Sequence, residues 1–328
     1  MTLPPLSTAR ARALIDQFKD VPILVLGDVM LDRFIVGSVT RISPEAPVPI
    51  VRFKSEHLRL GGAANVANNV AALGGRVDLV GLVGADPTGD RLREQLAAAG
   101  ISIDGLVQDA ARPTTEKVRV VTERNQQVAR IDYEDDADCG GAIEQTIVAH
   151  AARARQHAKA VLVSDYLKGV VTRRTIEALM ARAGSAEPPV IVDPKVPHLA
   201  CYAGATLVTP NHHEAETATH MRIRTDEDAR DAGRALRAAA RCDAALITRG
   251  EHGMWLSDRS IEGSIPAVAR EVADVTGAGD TVAATLALAL AVGASIAEAA
   301  LLANHAAGIV VGKFGPATVT RDELSAAF

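Results

Sequence analysis

Asp274-Val-Thr-Gly-Ala-Gly-Asp-Thr281 runs straight into the apolar stretch Val282–Val292. Glycines at a helix start let backbone N–H groups approach a ligand closely, and the helix dipole favours negative charge there. Gly277, Ala278 and Gly279 therefore suit an anion hole for the charge spread over a transferring phosphoryl group. Asp280, at the same turn, could accept a proton from an attacking hydroxyl or could simply cap the helix. A second cluster, Leu60-Gly-Gly-Ala-Ala-Asn-Val-Ala67, would let a substrate lie against the backbone at Gly61 and Gly62. Asn65 can both donate and accept hydrogen bonds to sugar hydroxyls; tight helix packing would use the same small residues. Asn211-His-His-Glu214 sets a carboxamide and a carboxylate three residues apart on one helix face, where they could hold a hydrated Mg²⁺ near phosphates. His212 and His213 would point in different directions from a helix and are not read as a metal pair. Gly308-x-x-x-Gly312-Lys313 is one residue short of a P-loop and is followed by Phe314. No G-x-G-x-x-G opens a helix after a strand, so a dinucleotide fold has no support.

The elements that must carry these residues alternate. Val21–Gly27, Val77–Val83, Ala160–Val163, Pro189–Val192, Thr206–Val208 and Ala244–Ile247 are short apolar runs that read as buried strands. Between them lie Ala-rich stretches of helical length, among them Gly141–His157, Arg173–Ala183 and Asp226–Arg241. This order implies an α/β fold with a mostly parallel sheet covered by helices on both faces. Ligands of such sheets bind beyond the carboxyl ends of the strands. Asp28, Asp165, Asp193, Asn211 and Thr248-Arg249-Gly250 follow those ends. An Asp there serves equally well as a helix N-cap. Phe34–Phe53 and Glu116–Asp132 break the pattern with alternating, Pro-interrupted strands, which suit a small exposed sheet. We expect one domain, 1–328, with a β lid from about 34–56 and 114–133.

Composition narrows the function. The 328 residues carry 35 Lys and Arg against 40 Asp and Glu, a net −5, which argues against a basic nucleic-acid-binding surface. Aromatics make up 3%, too few for a base-stacking platform. Arg112–Arg130 nevertheless holds five basic and two acidic residues, either a solvated lid face or a place for an anionic substrate. The longest nearly uncharged apolar run, Thr281–Ala294, is too short for a bilayer and reads as a core helix. No secretory signal is expected, and Cys139, Cys201 and Cys242 show no Cys-x-x-Cys spacing. A cytoplasmic protein without membrane or nucleic-acid partners is the expectation.

Taken together, Gly27-Asp28, Gly61-Gly62-Ala-Ala-Asn65, Asn211-x-x-Glu214, Thr248-Arg-Gly250 and Asp274-x-Thr-Gly-Ala-Gly-Asp280 resemble the ribokinase-like (PfkB) carbohydrate kinase family over nearly the whole chain. Within it the chain is most similar to the heptose 7-phosphate kinases. The residues that carry this are Gly27-Asp-Val-Met-Leu-Asp32, Arg41-Ile-Ser-Pro-Glu-Ala-Pro-Val-Pro49, Asn125-Gln-Gln127 with Arg130-Ile-Asp132, Ser164-Asp-Tyr-x-Lys-Gly169 and Asp193-Pro-Lys195. The family's kinase often occurs fused to an adenylyltransferase. The chain has no His-x-Gly-His and ends at Phe328, so the stand-alone form is expected.

The resemblance implies a ribokinase-like fold and an ATP-dependent kinase acting on the anomeric O1 of D-glycero-β-D-manno-heptose 7-phosphate, for lipopolysaccharide core heptose. It implies Asp280 as base and Gly277, Ala278 and Gly279 as anion hole. Asn211 and Glu214 would lie on the Mg²⁺–ATP side, with Glu214 holding Mg²⁺ through water. Thr248, Arg249, Gly250 and Gly253 would form the nucleotide wall, with Asn304 near the base. Asp274 and Thr276 match part of a monovalent-cation (K⁺) loop. Asp28, Asp32, Gly61, Gly62 and Asn65 match the sugar side. The 7-phosphate needs local cations, and of Lys117, Arg119, Arg130 and Lys195 we assign it to Arg119 and Lys195. Lids of this family commonly pair between subunits, so a homodimer is expected. The alternatives are a kinase of the same family for fructose 6-phosphate, ribose or a nucleoside, and a non-catalytic sensor on the same scaffold.

Overall fold

A strand buried on both faces needs apolar residues at every position, and β1 (Pro22–Gly27) has them. Ile23 and Val25 pack into one core, Leu24 and Leu26 into a second on the opposite face. A computed structural model describes residues 2–124, 126–180, 187–268, 272–313 and 317–328. Asn125 and Phe314, and residues 181–183 of the helix expected over Arg173–Ala183, lie outside them; that helix is described over Arg173–Met180.

After β1 the chain forms β2 (Val29–Ile42) and β3 (Pro49–Gly62), then β4 (Arg76–Gly84), β5 (Leu106–Asp109), β6 (Glu116–Thr122) and β7 (Gln127–Tyr133). β8 (Ala160–Ser164), β9 (Val190–Asp193), β10 (Leu207–Val208), β11 (Ala244–Thr248), β12 (Met254–Ser257) and β13 (Glu262–Ile265) complete the strands. Among the described residues nine of them form one sheet in the order β13-β12-β11-β10-β9-β8-β1-β4-β5. It is parallel except for β12, which is antiparallel to both neighbours. The strand order runs outward in opposite directions from β1 and β8. The crevice beyond their carboxyl ends, at Gly27-Asp28 and Ser164-Asp165, is therefore the switch point where ligands of open α/β sheets bind.

The helices Ala63–Ala72, Ala278–Ala291 and Ile296–Val311 cover one face of this sheet, and Gly141–Arg155, Arg173–Met180 and Asp226–Ala240 cover the other. Helix Ala278–Ala291 is buried on all sides from Asp280 to Ala289, which explains its uniformly apolar sequence. Among the described residues no helix is long and apolar enough to cross a membrane.

The remaining strands form a separate sheet, β3-β2-β6-β7. β2 and β6 pair in parallel, while β2–β3 and β6–β7 are antiparallel. The first pair is longer than the segment 34–56 expected from the sequence, because β2 begins directly at β1 and β3 ends at the N-cap of helix Ala63–Ala72. Continuous strands thus tie this sheet to the switch point.

Candidate active site

Gly277 is the N-cap of helix Ala278–Ala291, with φ of 79°, a left-handed conformation that side chains disfavour. That turn delivers Asp280 to the crevice, where it is 6% exposed. Asn65 Nδ2 donates to its Oδ2 at 2.6 Å and the Tyr166 hydroxyl donates to its Oδ1 at 2.9 Å. Burial pushes the Asp280 carboxyl up to about 6, with the two donated hydrogen bonds opposing the rise. A carboxylate keeps free lone pairs after two such bonds, so Asp280 can still accept a hydroxyl proton. Behind it the Thr281 hydroxyl donates to Asn69 Oδ1 at 2.8 Å, and Asn69 Nδ2 donates to the Asn65 carbonyl at 2.9 Å, locking Asn65 in place.

Beside Asp280 opens a cleft of about 470 Å³, lined by Asp32, Gly61, Gly62 and Asn65 from the first half of the chain and by Thr276 and Gly277 from the helix turn. Its other wall is ionic. Lys117 pairs with Glu134 at 2.6 Å, Arg130 makes two 2.8 Å bonds to Asp132, and Lys168 reaches Glu134 at 3.0 Å and Asp136 at 2.5 Å. Arg119 pairs with Asp32 and lies 5.3 Å from the Phe34 ring centre. Arg119 and Arg130 stand directly opposite each other on β6 and β7. Like charges so placed are unfavourable unless an anion accompanies them, and here Asp32 and Asp132 supply it.

The sequence assignments divide on this geometry. Asp32, Gly61, Gly62, Asn65, Arg119, Thr276, Gly277 and Asp280 come together at the cleft. Asp28 does not line it. It is 1% exposed, and its carboxylate accepts the backbone N–H groups of Tyr166, Lys168 and Val170 at 2.8, 3.1 and 3.0 Å. These three bonds pin the loop after β8, and they set Asp28 apart from the cleft residues with which the sequence grouped it. Lys195 does not line the cleft either. Its ammonium pairs with Glu214 and sits 5.4 Å from the Tyr166 ring centre.

Asn211 is not inside a helix, as the one-face reading required, but caps helix His212–Thr219. Asn211 Oδ1 accepts the Glu214 N–H and Glu214 Oε2 accepts the Asn211 N–H, both at 3.0 Å, a capping box. The spacing that suggested paired ligands is equally the spacing of this cap. Thr248, at the end of β11, bridges to Asn211, so the two wall segments are joined. Arg249 is buried and donates to Asp226 at 2.7 Å, Asn304 donates to the Pro266 carbonyl at 2.8 Å, and Gly250 and Gly253 bound the short helix turn between β11 and β12. The Asp274 carboxylate accepts the Thr276 N–H at 2.9 Å. Ala278 and Gly279 open the helix with Gly279 exposed.

Carboxylates crowd the region around Lys195. Burial, with the charges of Asp280 and Glu214, pushes Asp193 up to about 8. A phosphate-bound divalent cation fits this excess of negative charge, since Mg²⁺ is held by one or two carboxylates with waters and phosphates. Among the described residues no group of three His, Cys, Asp or Glu forms a protein-only metal cage. Lys117 and Arg130, weighed from sequence as cations for the 7-phosphate, line the cleft; Tyr166, Lys168 and Glu134 were not assigned to the site from sequence, and Tyr166 touches Asp280 directly. Its position right after β8, next to β1 at the switch point, was the signal that could have found it.

A glycine-rich helix start, a buried carboxylate and a sheet over the cleft, on this topology, suit a sugar kinase scaffold. A model of the pfkB family of carbohydrate kinases matches residues 22–323, and the chain belongs to that family. It is 48% identical to the D-beta-D-heptose 7-phosphate kinase of Bordetella bronchiseptica over 92% of this chain and 95% of that one. It is 51% identical to the bifunctional protein HldE of Caulobacter vibrioides over 94% of this chain, and spans 64% of the length of that relative. Phosphofructokinase-2 from Escherichia coli in complex with potassium shares the fold, with a TM-score of 0.77, 19% identity and coverage of 94% of this chain and 98% of that one.

Proposed function

We propose that the chain, as one domain with a β lid, phosphorylates the anomeric O1 of D-glycero-β-D-manno-heptose 7-phosphate, using ATP and releasing the 1,7-bisphosphate and ADP. The observation that carries this is the placing of Asp280 between the Gly277–Gly279 turn and a cleft walled by Lys117, Arg119 and Arg130. The choice of sugar is supported by the relative named heptose 7-phosphate kinase, which is covered along nearly its full length.

The acceptor lies in the cleft with its hydroxyls toward Asp32, Asn65 and the backbone of Gly61 and Gly62. Its 7-phosphate takes over part of the anionic role that Asp32 and Asp132 play against Arg119 and Arg130. Asp280 accepts the O1–H proton as O1 forms its bond to the γ-phosphorus and the bond to the β-phosphate oxygen breaks. Backbone N–H groups of the Gly277–Gly279 turn meet the charge of the phosphoryl group in transfer. Lys195 stands on the donor side of Tyr166 and supplies positive charge there. Glu214 would hold, through water, an ATP-bound Mg²⁺, which would supply charge neutralisation for the phosphates. Thr248 to Gly253 and Asn304 wall the nucleotide. Asp274 and Thr276 would contribute to holding a K⁺, and replacing K⁺ by tetramethylammonium should then lower kcat.

A second copy pairs through the lid, supported by the exposed Ile42, Val48, Phe53, Ile131 and Tyr133 on its strands and connecting loop. Light scattering should give a dimer, and a monomer would remove this point. An ATP-driven reaction on a charged sugar fits an enzyme working in the cytoplasm. A panel of heptose 7-phosphate, fructose 6-phosphate, ribose and a nucleoside, read by ADP release, tests the substrate. The heptose should show the highest kcat/KM, and preference for any other acceptor defeats the reading.

A further inference from the structure

Tyr166 is the residue that contacts Asp280 without having any role in the scheme above. It stands on the loop after β8, and that loop is held more firmly than a connection needs. Asp28 accepts three of its N–H groups, Asp165 Oδ1 accepts the Leu167 N–H at 2.8 Å, and Arg112 donates to the Lys168 carbonyl at 3.1 Å. Leu167 sits at φ 56°, left-handed backbone that a leucine adopts only where its surroundings enforce it. These restraints converge on one outcome, the delivery of the Tyr166 hydroxyl to Asp280 Oδ1 at 2.9 Å. The ring lines the sugar-side cleft, and the Lys195 ammonium, which does not line it, stands 5.4 Å from the ring centre.

We propose that Tyr166 is a positioning residue for Asp280: its hydroxyl fixes the carboxylate that faces the acceptor, and its ring separates the acceptor cleft from the Lys195–Glu214 pair. This rests on the reading of Asp280 as the base. Burial and the Asp280 charge hold the phenol far above its usual range, so it remains a neutral donor at every working pH. Its donated bond favours the charged carboxylate, as does the one from Asn65. The other charged groups facing Asp280 are Asp32 from β2, which raises it, and Lys195 beyond β9, which lowers it; Asp193 at the end of β9 is coupled to it by charge.

Tyr166→Phe removes the hydroxyl and keeps the ring. The expected result is a kcat about tenfold lower, KM for both substrates within about twofold, and an acid limb of kcat/KM moved up by about one pH unit. The same shift should appear without substrate, in the ¹³C carboxyl titration of Asp280 assigned with Asp280→Asn. An unshifted titration in a folded variant overturns the proposal, as does a raised KM with unchanged kcat. A wild-type chain that turns over none of the panel sugars overturns the base assignment itself, whatever the titration shows. The two failures are therefore distinct.

Discussion

Gly279 offers a substitution in which fold and chemistry should part. A Cβ built there meets nothing within 4 Å, and the residue has no left-handed φ. Gly279→Ala should therefore fold without strain. Replacing a helical glycine by alanine contributes up to about 1 kcal/mol through helix propensity and a less flexible unfolded chain. Tm should then hold or rise by about 1–3 °C. Activity should move the other way. The open space is where the transferring phosphoryl group is proposed to dock, so the methyl group would hold it off the backbone N–H groups. Loss of one such donor costs on the order of 100-fold in kcat. Gly277 cannot serve this purpose. Alanine there would be forced into φ 79° with its Cβ 2.9 Å from Asn65 Nδ2, so lost activity would only report a damaged turn. The assay is steady-state ADP release beside a thermal melt. A Gly279→Ala enzyme with kcat within about twofold of wild type would show that no phosphoryl group approaches this turn.

Asp280→Asn should keep the fold and ATP binding, measured by calorimetry, while kcat falls by about three orders of magnitude or more. In the wild type the raised Asp280 carboxyl, about 6, means that the rate should fall as pH drops through about 6 and the base is protonated; a flat profile between pH 5 and 7 would contradict this. Arg119→Ala should raise KM for the sugar phosphate at least tenfold more than KM for ATP. Lys195→Ala should show the opposite split, because its ammonium stands with Glu214 outside the cleft. Asp193, raised to about 8, is held protonated in the folded chain where the unfolded chain has already released the proton. Its contribution to stability is therefore present below pH 4 and lost as pH rises toward 8. Asp193→Asn should raise Tm at pH 8, with the gain shrinking toward pH 4; equal gains at both ends would refute the assignment.

The parallel sheet was legible because its strands are buried on both faces and read as unbroken apolar runs, as at Ile23–Leu26 and Ala160–Val163. The edge strands β5 and β13, and β12 beside β13, were not. Each is only four residues long: β5 ends in Gln108-Asp109, β12 stops at Ser257 after three apolar residues, and β13 has Ile265 as its one apolar residue, so none gives a run long enough to read. The Asp280 turn was legible from its glycines and the helix they start. Local pattern could not show which strand-end carboxylates are spent on structure. Asp28 and Asp32 lie four residues apart, yet one accepts three backbone N–H groups and the other meets Arg119 in the cleft. The Lys195 pairing and the Tyr166 contact were not legible for the same reason: their partners, Glu214 and Asp280, are 19 and 114 residues away in sequence.

Phosphorus NMR of the products from ATP and heptose 7-phosphate tests the central claim most directly. The expected spectrum gains a phosphate resonance coupled to the anomeric proton, in step with ADP, while the 7-phosphate signal persists and Asp280→Asn abolishes the change. A new phosphate ester on any other carbon, or ATP left intact beside the heptose, would contradict the account.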